Sequence, residues 1–357
     1  MSTILRNIQI PLFIKVEEGC LKTIRQTLDE NHLHFEKPLI LTEERILELG
    51  GNDVVHELGD PATILFKKNT IEEGDNIAVE IREKGNDLMI SIGGGRIVDL
   101  GKYAATKAGI NYISIPTSPS NDGICSPIAV LEDEEGRTES LAVNMPIGIL
   151  VDTKMLTSAP EDNIRSGIGE LISNFSAIKD WKIAYANGKD ALDDFAASMA
   201  FSAAQLIYES CRGVDVDLHD ESFLEKLSHG LILSGIAMNI AGSSRPCSGS
   251  EHEISHAIDQ LFPGTALHGQ QVSVGTLIGS FLRGEDISHL IDFFARVKLP
   301  VSHKDLGLTD EQMVQVLLKA PETRPGRYTI LEERKLDEKG VQQLLKDFNA
   351  KVDEYRS

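Results

Sequence analysis

Short apolar runs alternate with helical patterns over the first 150 residues, and no such alternation follows. Residues 38–42 (PLILT), 62–66 (ATILF), 88–92 (LMISI) and 112–115 (YISI) read as buried strands. Between them, 71–84 and 96–108 space their apolar residues by three and four, the period of a helix with one buried face. Strands apolar along their whole length, separated by helices, imply a parallel sheet covered on both sides. Residues 130–133 and 138–143, flanking Glu135-Gly136, predict an added hairpin, and 148–151 (GILV) a last strand. The opening run, with Arg6, Lys15 and two glutamates around a short alternating stretch, reads as a strand, since a signal peptide needs a longer apolar core.

After about residue 155 the patterns are helical, at 249–262, 268–283, 286–297, 310–319 and 338–355. Phe195, Met199 and Leu206 fall on one helical face, as do Leu224, Leu227, Leu231 and Met238. A chain of 357 residues is long for one core, so two domains are expected, residues 1–154 α/β and 155–357 all-helical. The fold class is then a Rossmann-like parallel-sheet domain followed by a helical domain. A formal charge of −20 argues against a nucleic-acid-binding surface, while leaving room for an anionic small molecule met by a few local cations. Four scattered cysteines fit free thiols in a reducing cytoplasm, and no run approaches the length of a membrane span. Amphipathic helices point to a homo-oligomer.

The segment Ser91-Ile92-Gly93-Gly94-Gly95-Arg96-Ile97-Val98-Asp99 links a strand to a helix. Three glycines let backbone N–H groups approach a pyrophosphate, and the helix start adds the positive end of its dipole. The letters are not G-x-G-x-x-G, and a tight structural turn is the other reading. Thr117-Ser118-Pro119-Ser120, after the next strand, adds a hydroxyl-rich loop at the same sheet edge and favours a nucleotide.

His252 and His256 lie four apart and share a helical face, and His268 follows a Pro263-Gly264 break that can return it against His252. Two imidazoles and a carboxylate are a common set for catalytic zinc, although an H-x-x-x-H pair is also a frequent coincidence. The carboxylate candidate is Glu170, read as sitting in the first turn of a helix after Gly167 and Gly169, where complementing the helix dipole is the alternative role.

Several segments together resemble the sn-glycerol-1-phosphate dehydrogenase family: SIGGGRIVDLGKYAA, IPTSPSNDGICSP, SGIGELISNF, GSSRPCSGSEHEISHAID and ALHGQQVSVGT, in order from about residue 90 to 280. That family shares the dehydroquinate synthase-like fold with glycerol dehydrogenases and iron-type alcohol dehydrogenases. The resemblance implies NAD(P)H-dependent reduction of dihydroxyacetone phosphate to sn-glycerol 1-phosphate, the backbone of phospholipids and ether lipids. It implies NAD or NADP held by Gly93, Gly94, Gly95, Arg96, Ile97, Val98, Asp99, Thr117, Ser118, Pro119, Ser120 and Ser126. It implies a divalent metal, zinc by default with nickel or iron as alternatives, on Glu170, His252 and His268. Asp122, Glu170 and His256 would bind substrate, with Asp122 and His256 also the candidates for moving the proton. The substrate phosphate needs a cation, for which Arg245 is the candidate, a loop-stabilising ion pair being its other reading. Two letters depart from the family pattern: glutamate replaces the usual aspartate at 170, and the usual H-G-E becomes His268-Gly269-Gln270, removing a charge near the ligand. Alternatives of the same fold are a polyol dehydrogenase or a dehydroquinate synthase-like lyase. A nucleotide- or metal-binding sensor without catalysis is the non-enzymatic one.

Overall fold

The computed structural model describes residues 8–356, so Arg6 of the expected opening strand lies outside the described residues. Its sheet has six parallel strands: β1 (Phe13–Val16), β2 (Pro38–Thr42), β3 (Ala62–Leu65), β4 (Leu88–Gly93), β5 (Asn111–Pro116) and β8 (Gly148–Val151), in the order β1-β8-β5-β4-β2-β3. The expected hairpin forms apart from it as an antiparallel pair, β6 (Ile128–Glu132) and β7 (Thr138–Ala142), with Gly136 at φ 76° in its turn.

Successive strand residues point to opposite faces, and both faces are covered except at β3, which was expected to be buried but lies at the sheet edge with Ala62, Thr63 and Leu65 exposed. Leu39, Leu41, Met89 and Tyr112 pack against Ile77 and Ile81 of helix α1 (Ile71–Lys84) and Leu100 of helix α2 (Gly95–Ala108). Ile40, Ile90, Ile92, Ile113 and Ile115 pack on the other side with Ile24, Val54 and Met155. Each such side chain contributes roughly 1.5–3 kcal/mol of burial, which is why these runs carry no polar alternation. Helix α2 lies hard on β4. A Cβ at Gly101 would stand 1.8 Å from Ser91 Oγ.

The longer helices that follow are α3 (Glu161–Ala186), α4 (Asp194–Cys211), α5 (Glu221–Ala241), α6 (Ser250–Leu261) and α7 (His268–Leu282). Helices at Ser288–Arg296, Asp310–Lys319 and Glu338–Arg356 complete the expected set. By packing, the chain forms two compact units: the described residues through Glu161 with Leu218–Gly242, and Asp162–Asp217 with Ser243–Ser357. A single cut at 154/155 therefore misses α5, which rejoins the sheet unit. Its Gly235 lies where a Cβ would come within 2.7 Å of the Cys125 backbone, and its Ser234 donates to Asp122.

On helix α4 Phe195, Met199 and Leu206 share a side as expected, and that side faces outward: Phe195 is 65% exposed and Leu206 37%. The buried side is Ala196, Ala200, Ala203, Ala204 and Ile207, because small side chains let the helix approach its neighbours closely. No described helix is long and apolar enough to cross a membrane.

Candidate functional site

Three ligand atoms of Glu170, His252 and His268 lie within 4.8 Å of one another in the second unit. The convergence depends on glycine. Helices α3 and α7 cross with backbone against backbone: a Cβ on Gly169 would meet the Gly269 carbonyl oxygen at 2.2 Å, and one on Gly269 would meet the Ser166 oxygen at 1.8 Å. Gly269 N also donates to Ser166 Oγ at 3.0 Å. The residues next in sequence to that crossing are Glu170 and His268. Glu170 thus sits well inside α3, not in a first turn, and the two preceding glycines are helical. The dipole-complementing reading goes with the misplaced helix start.

Hydrogen bonds around the imidazoles fix which nitrogen faces Glu170. The amide nitrogen of Gln271 donates to Asp259 Oδ1 at 2.8 Å and to the Ala266 carbonyl at 3.1 Å, leaving its oxygen to accept from Ser255 Oγ at 2.6 Å. With the Ser255 proton so used, its oxygen accepts from His268 Nδ1 at 3.0 Å. His268 Nε2 is then a lone pair, 3.3 Å from Glu170 Oε2. His252 donates Nδ1–H to Glu251 Oε1 at 3.0 Å, which leaves its Nε2 as an acceptor 3.9 Å from Glu170 Oε1. Burial first, then His252 and Arg324, push the His268 pKa down to about 3. Burial, Arg324 and Arg327 hold His252 well below the ordinary histidine value. Two neutral nitrogen lone pairs therefore face the two oxygens of one carboxyl group, at 3.3 and 3.9 Å. That arrangement suits a divalent cation, and the mixed N/O set matches a site with positions left for substrate.

His256, one turn on from His252, does not point at Glu170. Its Nε2 accepts from Arg324 Nη2 at 2.8 Å, so the ring proton is on Nδ1. Burial and then Arg324 keep the ring neutral. Gln270, the residue where the family carries glutamate, caps its own helix by accepting from Leu267 N at 3.1 Å. The ligand-orienting groups are instead Glu251, Ser255 and Gln271, for which the spacing of the letters gave no cue. Arg245 is occupied: it pairs with Asp190 at 2.7 Å and donates to the Tyr328 carbonyl at 2.8 Å, the loop-stabilising alternative.

The glycine turn lies in the sheet unit. Strand β4 ends at Gly93, Gly94 caps α2, and Thr117 N donates to the Gly93 carbonyl at 3.0 Å, joining the two loops expected to act together. Gly93 is sterically required, since its Cβ would stand 2.5 Å from Ile97, whereas nothing lies within 4 Å of a Cβ at Gly94. That open space beside the unpaired first N–H groups of a helix suits a phosphate. Ile97 and Val98 are core side chains, and Asp99 is engaged by Lys102 at 3.1 Å and by Val130 N at 3.2 Å. Ser126 is buried and donates to the Ile128 carbonyl. These residues can meet a nucleotide only through backbone or by holding the loop. Lys102, fully buried, also donates to the carbonyls of Gly123 and Ile128, at 2.6 and 2.5 Å, clasping the segment that carries Asp122. Asp122 accepts from Ser234 Oγ at 2.9 Å, and burial raises its pKa to about 6.

This fold belongs to a class of dehydrogenases. A family model described as iron-containing alcohol dehydrogenase matches residues 15–160. The structure is similar to that of a probable glycerol dehydrogenase from Sinorhizobium meliloti, with a TM-score of 0.81 at 21% identity over 98% of this chain and 99% of that one. Glycerol dehydrogenase from Schizosaccharomyces pombe gives 0.77 at 18% identity, covering 99% and 93%. Whole-length sequence similarity is greater to one family in that class. Glycerol-1-phosphate dehydrogenase [NAD(P)+] of Methanothermobacter thermautotrophicus is 35% identical over 96% of this chain and 98% of its own. That of Hyperthermus butylicus is 34% identical over 95% and 97%. The chain belongs to the glycerol-1-phosphate dehydrogenase family.

Proposed function

We propose that the protein uses NADH or NADPH to reduce dihydroxyacetone phosphate to sn-glycerol 1-phosphate in the cytoplasm, supplying a lipid backbone. The observation that carries this reading is the convergence of Glu170, His252 and His268 as lone-pair donors. Zinc is the proposed ion, from the mixed imidazole and carboxylate set. A cation held there supplies positive charge to a ketone oxygen as it gains electron density. The chain's own residues do the rest. Gly93 to Gly95 with Thr117 to Ser120 hold the dinucleotide phosphates, and Glu170 with the two imidazoles orients the ketone. His256 presents Nδ1–H as a hydrogen-bond donor to substrate oxygen, while Arg324 fixes its ring. Asp122 is proposed as a substrate contact, and the exposed Phe195 face of α4 as a self-association surface.

The test is oxidation of NADH and of NADPH with dihydroxyacetone phosphate beside dihydroxyacetone, with product chirality determined. The expected result is turnover of the phosphate ester to the sn-1 product, abolished by a chelator that leaves dinucleotide binding intact. Full activity in protein shown to be free of metal rules out the ion site. Turnover only of unphosphorylated polyols assigns the polyol dehydrogenase alternative.

A further inference from the structure

Two arginines beside the ion site make no direct ion pair among the described residues, and the buried Glu253 and Glu251 act on them only at a distance. Residues 324–327 read Arg-Pro-Gly-Arg, with proline and glycine at the two central positions of a tight turn. Gly326 has φ 85°, and Arg327 N donates to the Arg324 carbonyl at 3.0 Å. The turn sets both side chains toward one hydroxyl. Arg324 Nη1 and Arg327 Nη2 donate to Ser244 Oγ at 3.0 and 2.8 Å. Arg324 continues to His256, and Arg327 Nη1 reaches the Ser248 carbonyl.

Each guanidinium has five N–H groups, of which two are used here, and Ser244 accepts from both while its own proton stays available. Neighbouring arginines show what is missing. Arg245 pairs with Asp190 at 2.7 Å and Arg283 with Asp180 at 3.0 Å. Among the described residues, neither Arg324 nor Arg327 forms an ion pair with a carboxylate, in a chain with 55 acidic residues against 35 basic ones. Burial, then Arg324 and Arg245, lower the Arg327 pKa to about 10, so it stays charged at neutral pH. Two desolvated cations sharing one neutral oxygen, with Glu253 and Glu251 offsetting their charge only from a distance, favour an anion between them.

We propose that Arg324, Arg327 and the Ser244 hydroxyl form the receptor for the phosphate group of the substrate. The assignment rests on the reading of the protein as a reductase of a phosphorylated ketone, and it replaces Arg245. The scale suits it: Arg324 is bonded to His256, whose ring centre is 6.4 Å from that of His268. The phosphorus lies three bonds from the ketone carbon, at most about 4.5 Å away at ~1.5 Å per bond. The paired forks match phosphate in the bidentate manner that a lysine cannot.

The experiment uses the metal-loaded enzyme and Arg327, which makes no bond to an imidazole. For Arg327→Ala and Arg327→Lys, kcat/KM is measured with dihydroxyacetone phosphate and with dihydroxyacetone, and binding of inorganic phosphate is titrated directly. The expected result for Arg327→Ala is a fall of roughly 10- to 100-fold in the ester-over-ketone ratio and in phosphate affinity. Arg327→Lys, which keeps charge but loses the fork, falls between and gives the answer if the alanine variant does not fold. Variants that keep the wild-type ratio and phosphate affinity overturn the assignment. A wild-type enzyme with no preference for the ester, but with phosphate binding that Arg327→Ala loses, supports the receptor and removes dihydroxyacetone phosphate as substrate.

Discussion

Gly169 of α3 and Gly269 of α7 meet backbone to backbone, so that a Cβ on the first would stand 2.2 Å from the carbonyl oxygen of the second. Neither partner at that crossing is a side chain that could swing aside. The position of each ligand next to it, Glu170 and His268, follows from how closely the two helices approach.

Gly269→Ala should therefore cost more than a change of helix propensity. Its Cβ would stand 1.8 Å from the Ser166 oxygen, and parting the helices is expected to destabilise by roughly 3 kcal/mol, at the upper end of overpacking effects. Thermal melting and bound metal per chain should fall together. A variant of native stability with full metal content would show the contact to be slack.

Ser255→Ala removes the acceptor that keeps the proton on His268 Nδ1. With the orienting partner gone, metal affinity should weaken about 10- to 100-fold, as found for groups that hold a ligand imidazole. Competition against a chromophoric chelator measures it, and circular dichroism should stay unchanged.

Metal uptake by free histidines releases protons below their ordinary pKa, because the ligand must be neutral. Here burial already holds His268 at about 3 and His252 well below its usual value. Calorimetry at pH 6 in two buffers of different ionisation enthalpy should give matching heats. A buffer-dependent difference of about one proton per imidazole would show both to be charged beforehand.

Burial of Asp122 raises its folded-state pKa from 3.8 to about 6. The folded protein then binds this proton more tightly than the unfolded chain does. Its contribution to stability is fully present below pH 3.8 and is lost as pH rises through about 6. Asp122→Asn, which cannot ionise, should lack that fall, so the stability difference between variant and wild type should grow across this window in urea titrations.

Lys102→Met should be among the most destabilising single changes. Lys102 is fully buried and pairs with Asp99 at 3.1 Å, and removing it strands that carboxylate at a cost of roughly 3–5 kcal/mol. Chemical denaturation checks the magnitude, and Asp99→Asn in the Lys102→Met background should recover part of it.

The sheet was legible because strands buried on both faces carry unbroken apolar runs: PLILT and GILV mark β2 and β8 residue for residue. The imidazoles were legible because i and i+4 share a helix face. Which face of helix α4 is buried was not legible, because hydropathy ranks Phe195 above Ala196, while close helix packing ranks them the other way. Glycines 167 and 169 suggested a helix start for a related reason: their purpose is the contact with Gly269, a residue far off in sequence. The Arg324 and Arg327 pair did carry a local signal, the Pro-Gly between them. Its relevance appears only when that turn is seen beside His256.

The return of α5 to the sheet unit bears on how the chain is made. Because Leu218–Gly242 completes the first unit, that unit cannot finish folding until residue 242 has emerged, after the segment Asp162–Asp217 has already been synthesised. The early stretch of the helical unit must wait in turn for Ser243–Ser357. A nascent chain stalled at residue 160 would thus carry its six strands with Cys125 and Ser126 uncovered, a state exposed to misassociation and suited to capture by a chaperone.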